Sequence, residues 1–231
     1  MLKKPTLALT LLATLAVSAC DDDSDVTAPA TIAQLRVVHA SPDAPNVDVL
    51  VDNTAALTNV AYKAASTYLE VPSGSRNLKV RATGTTTVVI DQTATLDQGS
   101  AYTVIATGRV ASIAPLVLTD DQTNPAAGNV RVRLVHASPT AGNVDIYVTG
   151  PTADITTATP TLANVGFRVA SNYLEVPAGT YRVRVTPAGT KTVAIDVNNV
   201  ALTAGQVRTA VAVDAPGGGA PLGAILLADR N

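Results

Sequence analysis

The sequence predicts an all-β body of two tandem Greek-key-like β-sandwich domains, immunoglobulin-like or transthyretin-like, behind an N-terminal signal peptide. Three observations carry that expectation. The body is duplicated, its segments alternate apolar and polar residues with the period of a strand, and its composition suits aliphatic β-structure. Residues 36–51, RVVHASPDAPNVDVLV, return at 133–148 as RLVHASPTAGNVDIYV with 11 of 16 positions identical. Residues 64–74, AASTYLEVPSG, return at 169–179 as VASNYLEVPAG with 8 of 11 identical. The offset grows from 97 to 105, placing an eight-residue insertion of the second copy in the polar stretch 149–161, where a surface loop accommodates it.

The elements follow in chain order. Residues 1–19 read as a signal peptide: Lys3 and Lys4, an apolar run from Leu7 to Val17, then Ser18 and Ala19. An eleven-residue run is too short to span a bilayer, which takes about 20. Asp21, Asp22, Asp23 and Asp25 make residues 20–31 an acidic tether. The first sandwich is expected over 32–121, a turn-rich linker over 122–129 and the second sandwich over 130–231.

About seven strands per copy are expected, in the first near 32–40, 46–52, 59–70, 76–82, 86–93, 100–108 and 115–120. Val, Thr and Ile supply most of them, and their branched β-carbons fit a pleated surface. Pro-Ser-Gly at 72–74, Pro-Ala-Gly at 177–179, Gly99 and Gly205 mark corners. No helix is expected beyond the signal. Gly217-Gly218-Gly219, flanked by Pro216 and Pro221, reads as a flexible loop and not as a phosphate cradle, since no helix follows it.

Composition excludes several classes. The chain is 47% hydrophobic and has one cysteine, so it is neither disordered nor built on disulfides. Its net charge of −2 lacks the basic surface that a nucleic-acid partner demands. With 3% aromatic residues and no tryptophan, aliphatic side chains must fill the cores.

Val17-Ser18-Ala19-Cys20 resembles the lipobox of bacterial lipoproteins, and the only cysteine of the chain sits at the cut. The resemblance implies acylation of Cys20 and a membrane partner through that lipid, on the extracytoplasmic side of an inner or outer membrane in the cell envelope. HASPDAPNVDV, NYLEVPAGTYRVRV, and the closing AYTVIATG with PLVLTDD resemble domain of unknown function 4397 of bacterial extracytoplasmic proteins, in tandem over nearly the whole mature chain. That resemblance implies little about activity.

Candidate chemistry concentrates in the HASP segments. His39 and Ser41 recur as His136 and Ser138, the only histidines of the chain. A hydrolase would need a base within reach of the serine and an acid orienting that base, but Asp43 is replaced by Thr140 in the second copy. Alternation instead puts Leu35, Val37 and His39 on one strand face, with the imidazole tucked under the sandwich end and bonded to the Ser-Pro turn. On the opposite face a hairpin centred on Pro42 would set Arg36 across from Asp48, and Arg133 across from Asp145.

Calcium through Asp43, Asn46 and Asp48, or through Asp120 and Asp121, is weighed against ordinary turn chemistry, which is favoured because only Asn143 and Asp145 of the first group recur. No cofactor or resident metal is called for. Glu70 and Glu175, one per copy beside Tyr68 and Tyr173, form no glycosidase pair within either copy. The six tyrosines are too scattered for an obvious sugar platform, Tyr181 being expected in the core and Tyr147 exposed. These residues support a noncatalytic binding or envelope-structural module whose partner is an envelope polymer or protein. A carbohydrate or cell-wall polymer binder is the alternative, and a hydrolase using the HASP segments is the second, disfavoured one.

Overall fold

The computed structural model describes residues 31–230. The signal peptide, Cys20 and the tether up to residue 30 lie outside the described residues. The first repeat holds β1 (Ile32–Ala40), β2 (Val47–Val51), β3 (Thr54–Val60), β4 (Leu69–Pro72), β5 (Gly74–Ala82), β6 (Val88–Leu96), β7 (Ala101–Thr107) and β8 (Ala114–Asp120). The second holds β9 (Asn129–His136), β10 (Val144–Thr149), β11 (Leu162–Val165), β12 (Leu174–Pro177), β13 (Gly179–Pro187), β14 (Ile195–Leu202), β15 (Val207–Val213) and β16 (Gly223–Arg230).

Each repeat is a sandwich of two four-stranded sheets. Their orders are β4-β1-β7-β8 over β3-β2-β5-β6, and β12-β9-β15-β16 over β11-β10-β13-β14. Within each first-named sheet one pair is parallel, β1 with β7 and β9 with β15.

Two local expectations are corrected. The strand expected over 59–70 is two strands, β3 and β4, in different sheets. The chain turns between them, with Asn59 and Lys63 in the left-handed region at φ 56° and 67°, and Ala64 and Ser66 bond back to β1. A short 3-10 turn, Val110–Ser112, also stands where no helix was expected.

Alternation along β1 and β9 decides the layering. Leu35 and Val37 face the core between the two sheets of the first repeat, as Val132 and Leu134 do in the second. The opposite faces of these strands do not meet solvent. Val38, Ala40 and Ile105 pack directly on Val135, Ala137, Val211, Val213, Ile225 and Leu227 of the other repeat. The β1 and β9 sheets therefore lie against each other, giving four sheets with three apolar layers between them, and Thr31–Asn231 is one compact unit.

Within this middle layer the expected Arg36–Asp48 and Arg133–Asp145 pairs are replaced by an exchange between repeats. The HASP turn does not form a hairpin, because β1 and β2 belong to different sheets. Arg36, turned away from its own core, donates from Nη2 to Asp229 Oδ1 at 2.5 Å and from Nη1 to the Ala228 carbonyl at 3.0 Å. Arg133 makes the mirror set, with Asp120 Oδ1 and, at 3.0 Å, the Thr119 carbonyl. Thr103 accepts from Arg36 at 2.7 Å and donates to Asp120 at 2.5 Å; Thr209 accepts from Arg133 at 3.1 Å and donates to Asp229 at 2.6 Å.

Tyr68 and Tyr173 complete the network, donating to Asp120 at 2.6 Å and to Asp229 at 2.8 Å. Their rings cover Arg36 and Arg133 at 4.7 and 4.8 Å. Burial, and then the carboxylates beside them, push both phenols above their ordinary range. Arg36, Arg133, Asp120 and Asp229 are each at least 95% buried.

Removing one partner of a buried pair leaves the other uncompensated, at a cost of about 3–5 kcal/mol. Arg36→Ala and Arg133→Ala are each expected to lower the unfolding free energy in urea by about that much. Wild-type protein is expected to unfold in a single transition. Two separate transitions, with either alanine variant affecting only one, would show that the repeats do not hold each other.

Candidate functional site

The HASP turns carry the sequence from one sheet of each sandwich to the other, which fixes the surroundings of their histidines. His39 and His136 are fully buried. His39 Nε2 donates to the Pro45 carbonyl at 3.1 Å while Nδ1 accepts the Ser41 backbone N–H at 3.3 Å. His136 repeats this with Gly142 at 2.7 Å and Ser138 at 3.4 Å. A carbonyl on one side and an N–H on the other define a neutral ring protonated at Nε2. Its one lone pair is occupied, so neither imidazole can accept a proton from the neighbouring serine hydroxyl. Tyr62 and Phe167 meet the two rings edge-on, at 5.9 and 6.2 Å.

The serines differ between copies. Ser138 Oγ donates to Asp214 Oδ1, while Asp214 Oδ2 accepts from Thr140 at 3.0 Å and from the Gly219 N–H at 3.0 Å. Among the described residues Ser41 Oγ is buried without a hydrogen-bond partner. The position matching Asp214 in the first copy is Gly108, at φ 91°, where a Cβ would lie 2.7 Å from Arg168 Nη2. Arg168 crosses from the second repeat to bond the Thr107 hydroxyl at 2.9 Å and the Ser112 carbonyl at 2.8 Å, so no aspartate fits there.

Both HASP turns converge on residues 214–219. Asp214 holds Ser138 and Thr140, the Gly217 N–H bonds the Pro42 carbonyl at 2.7 Å, and Tyr62 donates to the Asp214 carbonyl at 2.7 Å. The Gly217-Gly218-Gly219 loop is thus a clasp between the two copies.

The remaining candidates divide by position. Asp43 is exposed, accepting from the Val110 N–H at 2.9 Å and lying 3.9 Å from Arg109. Asn46 and Asp48 both hold the left-handed Asn59, through its side chain at 2.8 Å and its N–H at 3.0 Å. Asn143 and Asp145 hold Asn164 in the same way, at 2.9 and 2.8 Å. The Asn59 N–H bond, then Thr83 and Arg81, draws the Asp48 carboxyl below its usual range. The structure does not gather these residues into one pocket. Among the described residues, no three His, Cys, Asp or Glu converge as a metal requires.

Every tyrosine hydroxyl is also engaged. Tyr102 bonds Asp97, Tyr181 bonds the Pro177 carbonyl and Tyr147 accepts from Lys191 at 3.0 Å. Tyr147, expected to be exposed, is 1% exposed. Its cover comes from Lys191, 4.6 Å above the ring, which also bonds the Ala158 carbonyl of the second-copy insertion at 2.5 Å. Tyr181, expected in the core, is only half buried at the edge of the second core.

Sequence reasoning missed Asp229, Thr103, Thr209 and Asp214. Thr103 with Thr209 and Asp120 with Asp229 do recur between copies, so comparing the final strands of each copy would have found the first three.

Two β-sandwiches locked face to face by exchanged buried charges define a tandem-repeat, all-β protein. The chain belongs to the family described as Domain of unknown function (DUF4397), whose model matches residues 33–147 and 148–231. It is similar in structure to a streptococcal virulence factor described for α-glucan binding, at 11% identity and a TM-score of 0.23, over 72% of this chain and 88% of that one. It is also similar to a leucine-rich repeat protein from Bacteroides thetaiotaomicron, at 14% identity and a TM-score of 0.21, over 80% of this chain and 26% of that one. No curated protein matches it in sequence. No helix among the described residues is long and apolar enough to cross a membrane.

Ser138→Ala is expected to cost about 1.5–3 kcal/mol in urea unfolding, the value of a bond to a charged acceptor, while Ser41→Ala costs close to nothing because that hydroxyl has no bond to lose. Acid stability follows from the histidines. Burial pushes both imidazoles below the ordinary 6.5, against a smaller opposing effect of the carbonyl bonds. The unfolded chain therefore takes up these protons first as pH falls. Their contribution is complete above pH 6.5 and is lost as pH drops below it toward the folded values, at up to about 1.4 kcal/mol per pH unit for each ring. Urea midpoints between pH 7 and 5 are expected to show this slope, and the His39→Gln/His136→Gln double variant to flatten it.

Proposed function

We propose that this chain is a noncatalytic binding or envelope-structural module, anchored on the extracytoplasmic side of a membrane by a lipid on Cys20, with repeat domains at 32–121 and 130–231. One observation carries the noncatalytic reading: His39 and His136 are sealed inside the fold with both ring nitrogens engaged. A nucleophilic site needs a base with a free lone pair and a substrate able to reach it. Neither repeat offers one in its HASP segment.

The lipid fixes the position, the acidic tether gives reach, and the sandwiches, held as one compact unit by the Arg36–Asp229 and Arg133–Asp120 exchange, present their loops to an envelope polymer or protein. No ring face of the six tyrosines stands free as a sugar platform: none is exposed, and Tyr62, Tyr68, Tyr147 and Tyr173 lie under cationic side chains.

Feeding expressing cells an alkyne fatty acid is expected to label the full chain in the membrane fraction, and Cys20→Ser to abolish the label and release the protein. Label persisting in that variant would refute the anchor. Panels of model esters, glycosides and peptides are expected to be left intact. Turnover that disappears in Ser138→Ala or His136→Gln, with folding retained, would overturn the noncatalytic reading, while retention on sacculi or a glycan panel would identify the polymer.

A further inference from the structure

The two copies differ in how their cores are filled, and the difference opens a cavity in the second. β7 and β15 occupy equivalent places, with Thr103 beside Arg36 and Thr209 beside Arg133. By that register Tyr102 corresponds to Arg208 and Val104 to Ala210. In the first copy the ring of Tyr102 and the branch of Val104 are buried in the core.

In the second copy the matching space is a cavity of about 160 Å³ between the β9 and β10 sheets. Val132, Leu134, Val148, Val183, Val200 and Leu202 line it, and Ala210 forms part of its wall. Residues of β14 and β16, each the last strand of its sheet, also line it. Of these, Ala201 and Leu226 are exposed, the latter 58%, so the cavity reaches the surface on that side.

Arg208 also lines the cavity and is half buried. Among the described residues no carboxylate lies within 4 Å of its guanidinium. The cavity thus joins an apolar wall to a single unanswered positive charge. An apolar cavity of about 150 Å³ in a protein core holds benzene, which sets the scale of what fits. An unpaired guanidinium beside it favours a carboxylate, which it meets through paired N–H donors.

We propose that the second repeat binds a small apolar monocarboxylate: an aryl or short acyl body of about one ring's size between the sheets, and its carboxylate on Arg208. This site is separate from the HASP turns and does not depend on how the loops engage a polymer.

The test titrates the isotopically labelled full chain with phenylacetate and with hexanoate, and in parallel with their neutral counterparts 2-phenylethanol and hexanol, following amide shifts. Both acids are expected to saturate shifts at Val132, Leu134, Val200 and Leu226, and to bind at least tenfold more tightly than the alcohols. Arg208→Gln is expected to remove that preference while the alcohols bind as before. Arg208→Tyr with Ala210→Val, which installs the first copy's residues, is expected to abolish binding of all four. Acids that leave these amides unshifted at millimolar concentration would overturn the proposal. So would equal binding of acid and alcohol to the wild-type chain, or an acid preference surviving in Arg208→Gln. That single variant alters only a half-exposed side chain, so the test stands even where the filled double variant fails to fold.

Discussion

Two guanidinium groups taken out of water between two sheets constrain the rest of this molecule. Arg36 lies 3.6 Å from Asp120 of its own sandwich, but the direct charge-assisted bonds of Arg36 and Arg133 both cross to the other repeat. Each is answered by the carboxylate ending the last strand of the other, Asp229 or Asp120. Desolvating four charges is costly, and it is tolerable only where geometry satisfies every remaining donor and acceptor. Thr103, Thr209, Tyr68, Tyr173 and two backbone carbonyls do so here. The apolar contacts of Val38, Ile105, Val135 and Val211 add area but little direction, so the charges fix the register of the two β1-type sheets. With that register set, the HASP turns fall on the same 214–219 segment.

Much of the fold was legible because its signals are local. Period-two alternation assigned Leu35, Val37 and His39 to one face and Arg36 to the other, and the duplication exposed the repeat and the insertion at 149–161. Long-range facts were harder to read. Alternation says that Arg36 turns away from the core, not what covers the face it turns to, and the hairpin that would have supplied Asp48 assumed neighbours in sequence to be neighbours in a sheet. A sandwich breaks that assumption wherever a turn crosses between layers, as at Pro42.

The same limit applies to the candidate site. Tyr147 lies out of phase with Ile146 and Val148, which implies solvent until Lys191 and the insertion are placed over it. The His-x-Ser spacing shows a base near a nucleophile, yet the lone pair that a base requires is already taken by a backbone N–H. What such a motif does depends on which atoms are free, and the order of residues does not record that. Where the copies differ, Gly108 against Asp214 and Tyr102 against Arg208, the divergence follows space: a crossing arginine excludes one aspartate, and a lost ring leaves a hollow.

The exchanged pairs have a consequence for assembly. Arg36–Asp229 and Arg133–Asp120 are related as the two halves of an isologous contact, the geometry of a twofold homodimer. A polypeptide carrying one copy would bear the arginine and the aspartate side by side on a greasy face, each needing a sister molecule, and its folding would vary with dilution. With the copies joined through residues 121–128, that encounter is intramolecular. The linker thereby substitutes a fixed effective concentration for a bulk one, so a single chain keeps its complete structure at any dilution.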